Sequence, residues 1–262
     1  MTLQKKPSTH YELVGPHDAP VLVLSHALGT NLALWDQQVE ALRASFRILR
    51  YDAPGHGNSP APRGPYTLSL LASDVINLLD ELGVNRAHFC GVSMGGIIGQ
   101  YLAVHHPERI ASLVLSNTAA KIGTAEKWDR RILLVAEAGM PAVVEEVLEG
   151  WFTASFRNLH PSIAASLTTA LKATAPEGYI GCCQALRDAD LSQQIERVKA
   201  PTLIIAGTED QATTLASAQF LQQKIRDSQL VALDCAHLAC VEAASAFTDH
   251  LKRFLTGTTK LK

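Results

Sequence analysis

Charge is what this sequence has least of. Only 18% of its 262 residues are Asp, Glu, Lys or Arg, against about 25% in an average soluble domain. The 23 basic and 25 acidic residues nearly cancel, to a formal net charge of −2. No basic run exceeds the pairs Lys5-Lys6 and Arg130-Arg131, so the footprint of a nucleic-acid or membrane-surface binder is absent. Long apolar runs are lacking too. Stretches such as Ala19 to Leu24 and Thr202 to Ala206 fall far short of the ~20 residues that a membrane span needs. The opening Met1-Thr-Leu-Gln-Lys-Lys-Pro7 has basic residues but no apolar segment after them, so it does not read as a signal peptide and a cytoplasmic location is expected. Cysteine is sparse and unpatterned: Cys90, Cys182, Cys183, Cys235 and Cys240 are odd in number and lack metal-ligand spacing. They are expected to be free, mostly buried thiols, and no metal or organic cofactor is implied. Internal repeats and low-complexity tracts are missing as well.

What is present is core material, 47% hydrophobic residues, arranged in alternation. Short apolar runs at Val21–Ser25, Phe46–Asp52, Ala87–Cys90, Ser112–Ser116, Thr202–Ala206 and Leu230–Leu233 have the length of strands buried on both faces. Between them, Leu68 to Leu82 has apolar spacing near 3.6 and stops at Gly83, Gly95 to His106 stops against Pro107, and Ala239 to Phe254 runs amphipathically to Gly257. Strands alternating with helices at this pitch predict an α/β fold, a mostly parallel sheet with helices on both faces. One stretch breaks the rhythm. Residues 118–190 hold four helix-like segments and no strand, with boundaries at Gly139-Met-Pro141, His160-Pro161 and Ala175-Pro176. This predicts a core of residues 1–117 and 191–262 with a helical cap, 118–190, inserted before a late strand and lying over the functional edge of the sheet. The alternative is a set of longer crossover helices.

The sharpest motif is Gly91-Val-Ser93-Met-Gly95-Gly96, between a predicted strand and a predicted helix. In that context G-x-S-x-G is a strained elbow that exposes a serine hydroxyl at a helix N-terminus. A serine is a poor nucleophile without a base to take its proton and an acid to hold that base. Asp210 follows the strand-like Thr202–Ala206, with Glu209 as the rival acid, and His237 follows Leu230–Leu233. The other histidines are misplaced: His10 and His17 are near the N-terminus, His105 and His106 close the helix after Ser93, His160 lies in the insertion and His250 inside the last helix. An oxyanion hole needs the N–H of the residue after the serine, here Met94, and one from the loop after an early strand, here Leu28 in Ser25-His-Ala-Leu-Gly29. His26 reads as a structural residue of that loop rather than a second base. Asp52-Ala-Pro-Gly-His56-Gly-Asn-Ser59 reads as a scaffold turn, because no Lys-Ser/Thr follows to make a phosphate loop.

From about His10 to Phe254 these residues resemble the α/β-hydrolase superfamily, whose triad order is Ser, Asp, His. Within it, Asn117 to Ile132, Trp151-Phe-Thr153 and Pro176 to Asp190 are similar to the cap of the 3-oxoadipate enol-lactonases. Two departures stand out. The loop reads His26-Ala27 where His-Gly is usual, and Glu209-Asp210-Gln211 differs from the common variants before and after the acid. The resemblance implies hydrolysis of a small anionic enol-lactone to 3-oxoadipate in bacterial catabolism of protocatechuate and catechol, with neither nucleic acid nor membrane as partner. It also implies that the face shared by Trp128 and Arg131, three residues apart on a helix, roofs the site. Arg131 is then the partner of the substrate carboxylate and Trp128 packs on its ring; a core Trp beside a solvated Arg is the alternative. Arg130, Trp151 and Arg187 are further substrate-binding candidates. The same residues fit a generic carboxylesterase or cofactor-free perhydrolase, which would prefer neutral esters, and a non-catalytic ligand receptor, which would bind without turnover. Haloalkane dehalogenation is disfavoured because it needs a carboxylate at position 93.

Overall fold

A computed structural model of the chain describes residues 9–259, so the readings placed on Met1 to Pro7 lie outside the described residues. Seven strands form one sheet: β1 (Tyr11–Val14), β2 (Val21–Ser25), β3 (Arg47–Tyr51), β4 (Ala87–Val92), β5 (Ile110–Ser116), β6 (Thr202–Gly207) and β7 (Ser228–Leu233). Their order is β1-β3-β2-β4-β5-β6-β7. All neighbours are parallel except β1, which runs antiparallel to β3. The helices are α1 (Asp36–Leu42), α2 (Leu68–Glu81), α3 (Met94–His105), α4 (Ala125–Ala138), α5 (Val144–Trp151), α6 (Ala154–Leu159), α7 (Pro161–Ala173), α8 (Pro176–Asp188), α9 (Leu215–Lys224), α10 (Ala239–Glu242) and α11 (Ala244–Thr259).

The central strands β4 and β6 are buried at every position, because α2, α3 and α9 cover one face of the sheet and α1 and α11 the other. Each fully buried Leu, Ile or Val there contributes about 2 kcal/mol of transfer free energy, and all five cysteines are free and buried within the same core. The expected α/β layering is therefore present. Local signals set the helix limits where they exist. Thr67 caps α2 by accepting from the Leu70 N–H at 3.1 Å, and Thr124 caps α4 by accepting from the Lys127 N–H at 3.3 Å.

Several elements differ from the sequence expectation. β1 was not anticipated: four half-buried residues carry little pattern, and the strand is held by pairing with β3, including Glu12 opposite Arg50 with a 2.6 Å ion pair. The segment Ala239 to Phe254 is two helices rather than one. Ala243 leaves helical geometry at φ −116°, ψ 39°, although no Gly or Pro marks the break. Between β5 and β6 there are five α-helices rather than four, because Thr153 caps α6 through the Phe156 N–H at 3.1 Å and so separates it from α5. No helix among the described residues is long and apolar enough to cross a membrane.

Candidate active site

β4 runs into α3 through a turn that only glycine permits on either side of Ser93. A Cβ on Gly91 would lie 2.2 Å from the Gly95 carbonyl oxygen, and one on Gly95 would lie 2.2 Å from that of Ser25. Ser93 itself sits at φ 57°, ψ −115°, in the left-handed half of backbone space that costs a non-glycine residue on the order of 1–3 kcal/mol. The surroundings hold it there: the Ser93 N–H donates to Ser116 O at 3.0 Å, and the Thr118 hydroxyl donates to Ser93 O at 2.8 Å.

Loops after β2, β6 and β7 reach the same carboxyl edge of the sheet, where open α/β sheets place their ligands. His237 Nδ1 lies 2.8 Å from Asp210 Oδ2. The same oxygen accepts from the Thr213 hydroxyl at 2.7 Å and the Asn117 amide at 3.1 Å, while Oδ1 accepts from the N–H groups of Ala212 at 2.8 Å and Thr213 at 3.0 Å. Burial alone would raise the Asp210 carboxyl, but the charge and hydrogen bond of His237, with the bonds from Thr213, hold it down at about 2. Asp210 is therefore an anion that fixes the imidazole ring. Glu209, the rival acid, is exposed on the strand side of that turn.

The loop carrying Leu28 is pinned by two neutral histidines. His26 Nε2 accepts from the Ala53 N–H at 2.9 Å, which leaves Nδ1 as the donor to Ala27 O at 2.7 Å. His56 repeats the device, accepting from the Gly29 N–H at 3.0 Å and donating to Pro54 O at 3.0 Å. Burial lowers both, His56 to about 3, where the neighbouring His26 adds to the effect. His26 thus spends both ring nitrogens on the loop, which agrees with its reading as a structural residue. The turn Asp52 to Ser59 serves the same clasp: Asp52 accepts from the N–H groups of Leu32 at 2.8 Å and Asn58 at 2.9 Å.

Leu28, Ser93 and His237 line one cavity of about 170 Å³, roofed by Trp128, Arg131 and Trp151. Met94 follows Ser93 at the start of α3, is buried and is not among the residues lining that cavity. In the roof, Trp128 donates to Ile122 O at 2.6 Å and carries the Arg131 guanidinium over its ring, 5.6 Å from the centroid. Arg131 is not free, as it pairs with Glu146 at 2.6 Å and lies beside buried Tyr179. Arg187, another arginine proposed from the sequence, pairs with Asp129 at 2.9 Å and Asp188 at 2.8 Å and is not among the residues lining this cavity. A larger hollow of about 640 Å³, at the amino-terminal ends of β6 and β7, contains none of these groups. Among the described residues, no group of three or more His, Cys, Asp or Glu is placed to hold a metal.

Four residues that shape the site carried little signal in the sequence. Asn117 directly follows β5 at φ 44°, a conformation Asn tolerates better than most residues. Thr213 lies three residues after Asp210, a short-range pattern for side-chain to backbone bonding. Glu146, which pairs with Arg131, and Glu242, which accepts from the Ala236 N–H at 2.9 Å just before His237, are single acids on helices, visible only once the fold brings their partners to them.

A family model for the alpha/beta hydrolase fold matches residues 20–177. The chain is 43% identical to 3-oxoadipate enol-lactonase 2 of Acinetobacter baylyi, over 91% of this chain and 89% of that one. It is 35% identical to 3-oxoadipate enol-lactonase 1 of the same organism, over 93% and 91% of the two chains. The crystal structure of the enol-lactonase from Burkholderia xenovorans LB400 superposes with a TM-score of 0.94 at 44% identity, covering 95% of this chain and 96% of that one. The chain belongs to the α/β-hydrolase family and is a hydrolase of the carboxylic ester class.

Proposed function

We propose that this enzyme opens 3-oxoadipate enol-lactone to 3-oxoadipate, with Ser93 as nucleophile, His237 as base and acid, and Asp210 as the anion that orients His237. The observation that carries the reading is one small cavity with Ser93 and His237 at its floor, His237 being held from behind by Asp210, and a guanidinium, Arg131, in its roof. The likeness to relatives named as enol-lactonases supports the choice of substrate.

Ser93 Oγ attacks the lactone carbonyl while His237 Nε2 takes its proton. The Asp210 carboxylate stabilises the resulting imidazolium, and the N–H groups of Met94 and Leu28 receive the oxyanion. Collapse breaks the ring C–O bond, and His237 returns its proton to the departing enol oxygen, leaving an acyl-enzyme. Since the leaving group stays tethered to the acyl chain, ring closure competes with hydrolysis until the enol relaxes to its ketone. A water that gives a proton to His237 then attacks the ester carbon, and as the acyl C–O bond breaks His237 returns that proton to Ser93 Oγ. Helices α4 to α8 act as a cap that excludes bulk water, and Arg131, stacked on Trp128, meets the carboxylate of the substrate's side arm. Trp151 completes the apolar wall.

The Arg131–Glu146 pair favours a second reading, a hydrolase of neutral esters, because it leaves the roof less cationic than a lone guanidinium would. The loss of ultraviolet absorbance of freshly generated enol-lactone, with p-nitrophenyl acetate as the neutral control, separates the two. A kcat/KM for the lactone far above that for the control is expected. Hydrolysis of the control alone would retain the nucleophile and discard the substrate.

A further inference from the structure

We propose that Glu146 is a built-in competitor for the substrate carboxylate, an internal anion that holds Arg131 and is handed outward to Arg130 when a carboxylate-bearing ligand enters the cavity. The inference rests on the reading that the roof of the cavity receives a carboxylate. Its basis is the position of one acid between two arginines. Glu146 Oε1 lies 2.6 Å from Arg131 Nη2, while its two oxygens lie 3.2 and 3.4 Å from Arg130 Nη2. The inner arginine side chain is 13% exposed, the outer one 69%, and Glu146 stands between them at 41%.

The two halves of the inner pair are not equally fixed. Arg131 is stacked on Trp128 and packed beside Tyr179, so its guanidinium has little room to leave. Glu146 stands in the first turn of α5, half in solvent, with a second cation already within reach. When a ligand displaces one member of the pair, the acid is the one that can move. Lys127, one turn before Arg131 and on the same cavity wall, then makes a second positive group for the entering anion. A ligand without a carboxylate has nothing to offer Arg131 in exchange, so Glu146 stays. The roof therefore discriminates by charge: neutral esters meet a compensated ion pair, and anionic lactones meet two cations.

The test uses adipate as an inhibitor of p-nitrophenyl acetate hydrolysis, beside the KM for the enol-lactone. In Glu146→Gln the competing anion is gone; a partly exposed ion pair of this kind is worth roughly two- to fivefold in affinity. The inhibition constant for adipate and the KM for the lactone are both expected to fall by that factor, and the ratio of lactone to neutral-ester kcat/KM to rise. Arg130→Ala should weaken adipate in the wild-type background, where Glu146 loses its outer partner, and have no effect in the Glu146→Gln background. Glu146→Ala repeats the cycle, so that misfolding of one variant leaves the other to decide. Adipate binding that is unchanged or weaker in the Glu146 variants overturns the proposal, as does an Arg130→Ala effect of equal size in both backgrounds or a lack of adipate inhibition in every protein. If wild type fails to open the lactone while adipate still tightens in Glu146→Gln, the substrate reading falls and the exchange of partners stands. Lactone turnover together with weaker adipate binding gives the reverse.

Discussion

The side-chain amide of Asn117 donates to the Asp210 carboxylate at 3.1 Å and to Ala236 O at 3.0 Å, from a backbone held at φ 44°. One residue after β5 thus joins the loop of the acid to the loop of the histidine. Its contribution divides into a bond and a conformation, and two variants separate them. A hydrogen bond to a charged group is worth about 1.5–3 kcal/mol, so both Asn117→Gly and Asn117→Ala are expected to lower kcat by roughly tenfold or more. Both variants should lower the urea-unfolding free energy through the lost bonds, and Asn117→Ala should lower it by about 1–2 kcal/mol more than Asn117→Gly, because alanine resists positive φ. Wild-type kcat in Asn117→Gly would sink the positioning role.

The depressed carboxyl of Asp210 makes a statement about acid stability. A group whose folded pKa lies below its unfolded one stabilises the fold at any pH above the unfolded value, and that stabilisation fades as pH falls through the folded value. For Asp210 the window runs from 3.8 down to about 2, and the difference is worth about 2 kcal/mol. Asp210→Asn removes it. Urea midpoints should show wild type ahead of the variant at about pH 5 and the gap closing towards about pH 2. A gap that stays constant over that range would mean that Asp210 is not held down.

Ser93→Ala and His237→Ala are each expected to lower kcat by about 10⁴-fold or more, and the double variant by little beyond either single one, since the two act as a unit. Single-turnover assays on purified proteins resolve this. Additive losses would mean that the two side chains do not share a proton transfer.

The elbow and its partners were legible in the sequence because each is tied to an element boundary. Gly91 and Gly95 announce a close approach of strand and helix, Asp210 follows the apolar run of β6, and His237 follows that of β7. The parallel sheet was legible for a similar reason: strands buried on both faces read as unbroken apolar runs. What escaped was set by tertiary contact. β1 exists through its ladder to β3, and the break at Ala243 has no residue of its own to signal it. Arg131 and Arg187 look alike as letters in the sequence. One lies over a Trp ring and the other between two exposed acids, a difference that appears only when α4 and α8 are packed together.

Glu242 shows how far such contacts reach. One of its oxygens accepts from the Thr153 hydroxyl at 2.5 Å and the Thr153 N–H at 3.2 Å, and the other accepts from the Ala236 N–H at 2.9 Å. The start of α6 is thereby tied to the residue before His237, and the Leu238 N–H donates to Trp151 O at 3.1 Å alongside. Glu242→Ala is expected to lower kcat roughly tenfold with little change in KM, because it frees the histidine loop and leaves the roof in place. Glu242→Gln, which keeps an acceptor for one side, should fall between. A rise in KM without a loss of kcat would assign Glu242 to the shape of the cavity instead.

Arg131 and Arg187 provide the contrast that tests the roof. Arg131→Ala should raise KM for the carboxylate-bearing lactone by roughly 10- to 100-fold, the value of one charge-assisted bond in a partly buried setting, while Arg187→Ala should leave it within experimental error. Two contributions make up the first effect, because truncating Arg131 also leaves Glu146 at the cavity wall with only the outer Arg130, at 3.2 Å, as its arginine partner, and a less fully paired acid repels an anionic substrate. The double variant Arg131→Ala/Glu146→Gln separates the two contributions. If Arg131 contacts the substrate carboxylate, removing Glu146 recovers only part of the loss. Full recovery of KM would mean that Arg131 does no more than neutralise Glu146, and the carboxylate would then have to be met by Lys127 on the same wall.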